Sequence, residues 1–228
     1  MARYIDLILL WLKWPTAIFL LLTIPALVRA FDYFNFMTPK YYALVGGIGL
    51  YFVTMITAGY NVCHNMQIIS HELTHTFFAY LTFHDAGRIR LNPDGTGGSM
   101  QLKGRGNWVI TLSPYFFPLF AFFYMLIMPF LLRVIDVDWL VYGVFGYFIA
   151  YYWVTVAEQV HPKQTDIIKE GYLFSIITIV AANLWTTGIM LAYASKSWEG
   201  IKIYTALVMR LSLNFWDMML KLIIQNLQ

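Results

Sequence analysis

At 228 residues, 60% hydrophobic and only 12% charged, the chain carries about half the charge of a typical soluble domain, where roughly 25% of residues are charged. That composition excludes an ordinary soluble globule and points to one integral-membrane domain over residues 1–228, read as an all-α polytopic protein with about six transmembrane helices. The net charge of +3 gives no basic stripe for nucleic acid, and the lone Cys63 excludes an intrachain disulfide and a cysteine zinc site.

Residues 5–28 form the first apolar run. It holds Lys13 and Pro15 and lacks a small-residue cleavage site, so it reads as a retained span and not a signal peptide. Pro15 and Pro25 are expected to kink or end it, and residues 30–41 read as an interfacial connection. The helical region from about Tyr41 to Phe83 is too long for one straight crossing at roughly 1.5 Å per residue. A break near Gly59-Tyr60-Asn61 divides it into helices over 42–59 and 62–83.

The helix over 62–83 carries His71-Glu72-Leu73-Thr74-His75, an H-E-x-x-H motif. Four residues apart on a helix, the two imidazoles stack on one face and reach a single metal ion. Glu72 is placed to take a proton from a water that the metal activates. The motif lies in a strongly apolar stretch, where burying two imidazoles and a carboxylate is costly unless they are bound or paired. That cost favours a functional site.

Residues 84–108 differ in character, being rich in glycine and holding Arg88, Arg90, Lys103 and Arg105. Arg88-Ile89-Arg90-Leu91 and Ser99-Met100-Gln101-Leu102 alternate as strands do, and Asn92-Pro93-Asp94-Gly95 is a turn signal, so a short membrane-associated β-hairpin or small sheet is expected. Further spans follow at 109–132, 139–157 and 171–194. The last helix, 201–225, carries Arg210, Asp217 and Lys221 and reads as a further span or an interfacial helix. Asn183 and Asn214 read as interhelical hydrogen bonders. By the positive-inside rule the 84–108 segment faces the cytoplasm, which brings 158–170 to the same side as the motif.

Catalytic zinc takes three protein ligands and keeps one position open. Candidates for the third are Asp166, Glu158, His161, Glu170 and His64. Asp166 ranks first, because the polar break His161-Pro162-Lys163-Gln164-Thr165-Asp166 between two apolar spans can admit a carboxylate to membrane depth. Its bland alternative is a helix N-cap. His64 shares the face of His71 but stands two turns away, about 10 Å at helical rise, too far for the same ion. It is expected instead to line an access groove or contact substrate.

The succession His71-Glu72-Leu73-Thr74-His75, Gly87-Arg88-Ile89-Arg90-Leu91 and Pro93-Asp94-Gly95-Thr96-Gly97-Gly98 resembles the site-2 protease superfamily, in particular its small bacterial branch without a PDZ domain. The resemblance covers roughly residues 60–172. It implies zinc ligation by His71, His75 and Asp166, one Zn2+ per chain, with Glu72 as general base. It also implies a membrane-associated sheet at 88–102 that pairs with an unwound substrate strand, making Arg88, Ile89, Arg90 and Leu91 substrate-contact candidates. The chain departs from the family pattern where Ile167, not glycine, follows Asp166, and in the less glycine-rich Leu112-Ser113-Pro114-Tyr115.

The expected function is therefore zinc-dependent intramembrane proteolysis of a transmembrane protein, in a bacterial inner membrane, with the site nearer the cytoplasmic side. The sequence reads without a soluble substrate-selecting domain, which leaves room for an accessory membrane subunit. Two rivals stand beside it. One is an H-E-x-x-H membrane protease of the CAAX or heat-shock type, with Glu158 or Glu170 as third ligand. The other is a non-catalytic membrane scaffold whose metal is structural or absent.

Overall fold

Long apolar runs favour helices, which satisfy their backbone groups within the segment, and the computed structural model is helical almost throughout. It describes residues 1–92 and 97–227, the side chains of residues 60, 61 and 227 excepted. Helix α1 (Ala2–Ala30) runs through Pro15 and Pro25 without ending at either. A short 3₁₀ turn leads to α2 (Pro39–Ala58). Gly59, at φ +87°, then turns the chain into α3 (Tyr60–Leu81), the motif helix. The break falls where the sequence places it, because that backbone conformation is rarely open to an L side chain.

Strands β1 (Ala86–Leu91) and β2 (Gly98–Leu102) pair antiparallel, with Ile89 opposite Met100 and Arg90 opposite Ser99. The expected hairpin is thus present, while its turn signal at Pro93-Asp94-Gly95-Thr96 lies outside the described residues.

The span expected at 109–132 is not one straight helix. Helix α4 (Trp108–Leu112) and a 3₁₀ turn through Tyr115 are followed, at a bend of 77°, by α5 (Leu119–Val134). Pro114 and Pro118 withhold the amide protons a continuous helix would need at the bend. Helix α6 (Asp138–Gln159) leads through a polar loop to the short α7 (Thr165–Glu170), which carries Asp166.

The last helix, α8 (Tyr172–Leu227), is interrupted at Lys196 and Ser197, where the backbone leaves helical angles. Gly188 abuts the Tyr204 ring and Gly200 abuts the Ala192 carbonyl. Both pairs are centred on residue 196, so the two arms form an antiparallel hairpin. The segment 201–225 therefore folds back along 172–195, with Tyr204 and Val208 fully buried.

Close approach also joins α2 to α6. Gly47 lies against the Gly143 carbonyl and Gly146 against the Leu44 backbone, with no room for a Cβ at either. The larger core gathers Leu27, Leu44, Met128, Phe145, Ile149 and Tyr204. A smaller one, of Ala17, Leu112, Tyr115, Ile167 and Phe174, fixes α4 and α7 against α1 and α8.

Among the described residues, α1, α2, α6 and α8 are long and apolar enough to cross a membrane, and the bent α4–α5 pair makes a fifth. Helix α3, the motif helix, is not among them. Its inward face carries Gln67, Ser70, Glu72, Thr74 and His75, all buried, and these polar groups remove it from the apolar class.

Candidate metal centre

The i, i+4 spacing puts the His71 and His75 rings on one side of α3, and the long-range fold brings α7 against that side. His75 Nε2 lies 3.0 Å from His71 Nε2. Asp166 Oδ2 lies 3.3 Å from the first and 3.5 Å from the second. Tetrahedral zinc with ligands at about 2.0–2.1 Å has ligand–ligand edges of about 3.3–3.4 Å. The three separations, 3.0 to 3.5 Å, bracket that figure.

The opposite ring nitrogens define the tautomers. His71 Nδ1 is 2.7 Å from Gln159 Oε1, and His75 Nδ1 is 2.7 Å from the Ile110 carbonyl oxygen. Both partners are acceptors, so both Nδ1 atoms carry the proton and donate it. Each neutral ring then turns the lone pair of Nε2 toward the other and toward the Asp166 carboxylate. Three electron pairs converging on one point repel unless a cation lies between them, and a divalent metal fits the spacing.

Burial pushes the Asp166 carboxyl up, but its interactions with the His71 and His75 rings outweigh it and hold the group well below the usual carboxylate range. Tyr115 also donates to Asp166 Oδ2, at 3.2 Å. Gln159 is itself held, its amide donating to the Gln67 carbonyl at 3.2 Å.

Glu72 is 6% exposed and accepts a hydrogen bond from the Met100 backbone amide. Strand β2 lies directly over it: a Cβ on Gly98 would stand 3.0 Å from Glu72 Cγ and 3.0 Å from Ile68 Cγ2. Glycine permits this approach. Glu72, His71, His75 and Asp166 share one open groove of about 480 Å³, bordered by β2, the end of α6 and α7.

The other candidates fall into place around this group. His64 lines the groove, 3.8 Å from Glu158 Oε2 and apart from the histidine pair. His161 lines it from the α6–α7 loop, its Nδ1 accepting from the Lys163 amide. Glu170 is turned away, paired with Lys13 at 2.8 Å. Among the described residues His71, His75 and Asp166 form the one group able to hold a metal, which leaves the CAAX-type ligand sets at Glu158 and Glu170 without geometric support.

Arg88, Ile89, Arg90 and Leu91 lie on β1, outside the groove, whose strand wall is Gly98, Ser99, Met100 and Leu102 of β2. Sequence reasoning missed Gln159, the Ile110 carbonyl, Tyr115 and Gly98. For Tyr115 a signal existed in Ser113-Pro114-Tyr115, a helix-breaking proline inside an apolar run. The others carry none.

No family model matches the chain, and neither does any curated protein or solved structure.

Proposed function

We propose that this chain is a zinc-dependent intramembrane endopeptidase of the site-2 protease type, holding one Zn2+ on His71, His75 and Asp166. The observation that carries the reading is the convergence of two Nε2 atoms and one carboxylate oxygen beside a buried glutamate, in a groove open to solvent. Zinc bound there would supply Lewis acidity, lowering the pKa of a water and polarising a peptide carbonyl. The protein's own groups do the rest. Glu72 takes the proton of the attacking water and delivers it to the leaving amine. Gln159 and the Ile110 carbonyl hold both imidazoles in the ligating tautomer.

The substrate is a transmembrane segment, whose backbone must be unwound before a carbonyl is accessible. The Met100 amide points away from β1 toward Glu72, so this edge of β2 is available to an extended strand. Pairing there releases Glu72 to act as base. A purely structural metal would need no such carboxylate, which speaks against a scaffold.

Counting α1, α2, α4–α5, α6 and the two arms of α8 gives six crossings, with α3 packed among them. Arg3, Lys13, Lys103, Arg105 and Lys169 line the groove and the cavity beside it, and by the positive-inside rule that end would face the cytoplasm, as in a bacterial inner membrane. An accessory membrane subunit would select the substrate.

The test is cleavage of transmembrane peptides in reconstituted vesicles by wild type and Glu72→Gln, with zinc measured in both. Zinc near one per chain in both, with cleavage lowered about 10²–10⁴-fold in the variant, is the expected result. Equal cleavage by the two proteins, with zinc retained, would sink the proposal.

A further inference from the structure

A second cavity, of about 1130 Å³, lies away from the metal centre, between the start of α1 and the segment joining β2 to α4. Its charged walls are Arg3, Asp6 and Lys13 from α1, Lys103 and Arg105 from the connecting segment, and Glu170 from the end of α7. The acids are committed. Asp6 accepts from Asn107 Nδ2 at 2.8 Å and meets His84 Nε2 at 3.1 Å, while Glu170 is bound by Lys13. Lys103 is paired to Asp85 at 3.3 Å. Arg3 and Arg105 have no acidic partner within ion-pair distance among the described residues, so the cavity presents two uncompensated guanidiniums.

The remaining wall is apolar. Tyr4, Leu7 and Leu10 line it and are 75%, 54% and 65% exposed. They continue into the outer face of α1, of whose apolar window only 11% is buried against the protein. A cationic chamber opening along a lipid-facing helix at the bundle end suits one ligand chemistry: a phosphate anion attached to acyl chains. Guanidinium groups match phosphate oxygens with paired N–H donors, and the chains would follow α1.

We propose that this cavity binds the headgroup of an anionic phospholipid, its phosphate held by Arg3 and Arg105 and its acyl chains lying along Leu7 and Leu10. The site is separate from the metal centre and does not depend on peptidase activity.

The experiment titrates the purified full chain in detergent with phosphatidylglycerol, phosphatidylcholine and inorganic phosphate separately, and counts bound molecules by native mass spectrometry. Wild type is expected to retain phosphatidylglycerol over phosphatidylcholine. Arg3→Gln/Arg105→Gln is expected to weaken that retention about 10- to 30-fold, and both arginines are exposed enough for the variant to fold. Arg88→Gln/Arg90→Gln, which removes equal charge from β1 outside the cavity, should keep the preference. Equal retention of the two lipids by wild type overturns the proposal, as does a preference that survives in Arg3→Gln/Arg105→Gln. Loss of preference in both variants alike reduces it to general surface charge. Inorganic phosphate binding as tightly as phosphatidylglycerol would make this a soluble-anion site and overturn the lipid assignment.

Discussion

His71 and Gln159 are 88 residues apart in the chain, yet Nδ1 of the first and Oε1 of the second are 2.7 Å apart. This bond orients one imidazole of the proposed metal site by a side chain from the end of α6, so that site depends on how α6 packs on α3. Gln159→Leu removes the acceptor while keeping the bulk. Metal affinity should fall about 10- to 100-fold, measured by competition with a chelator. Unchanged affinity would mean that the ring is oriented by other contacts.

Asp166, the proposed third ligand, reaches the histidine pair from a helix of only six residues. Asp166→Ala should bring zinc content close to zero, because two histidines alone hold the ion weakly. Glu158→Ala and His161→Ala should stay near one zinc per chain, since neither belongs to the group. Elemental analysis of the purified proteins decides this, and full zinc in Asp166→Ala would remove Asp166 from the site.

Gly98 is the point where β2 meets Glu72. Gly98→Val would drive a branched side chain into Glu72 Cγ and Ile68 Cγ2, both 3.0 Å from where its Cβ must sit. Overpacking of this kind costs about 1–3 kcal/mol, to be read as a lowered melting temperature. Cleavage should fall while zinc content holds, because the proposed ligands lie on α3 and α7 and not on β2. If zinc falls in parallel with activity, the effect is global and not local to the strand.

Lys13 Nζ binds both the side chain and the carbonyl oxygen of Glu170, at 2.8 and 2.9 Å, and so ties α7 to α1. Lys13→Met leaves Glu170 without its cation, and one-sided loss of a largely buried pair costs about 3 kcal/mol. Both thermal stability and zinc affinity should drop, since α7 carries Asp166. Adding Glu170→Gln should recover stability. No recovery in the double variant would indicate that Lys13 acts through packing alone.

The arms of α8 close through Gly188 and Tyr204. Gly188→Leu has no room for its side chain against that ring, and should destabilise the hairpin by about 1–3 kcal/mol. Adding Tyr204→Ala to Gly188→Leu, which empties the space that ring fills, should recover part of the lost melting temperature. No recovery in the double variant would refute the contact between the two arms.

The sequence alone determined those features set by local periodicity. Two histidines four apart on a helix share a face whatever the rest of the chain does, and Glu72 follows them. Alternation fixed the paired strands, and Gly59 the break before α3. The apolar runs identified the long helices, though Pro114 and Pro118 turned one of them by 77°, and the polar inward face of α3 took it out of the apolar class.

What only the tertiary structure decided are relations between groups far apart in the chain. Spacing could rank Asp166 among several candidates but could not bring its carboxylate to the histidines. It could not reveal that Gln159 and the Ile110 carbonyl fix the tautomers, or that β2 and not β1 covers Glu72. Those depend on helix crossings set by backbone approach at Gly47, Gly146, Gly188 and Gly200, and on the small core around Ile167 that seats α7. Such packing sums many weak contacts over the whole bundle, and no short stretch of sequence encodes its outcome.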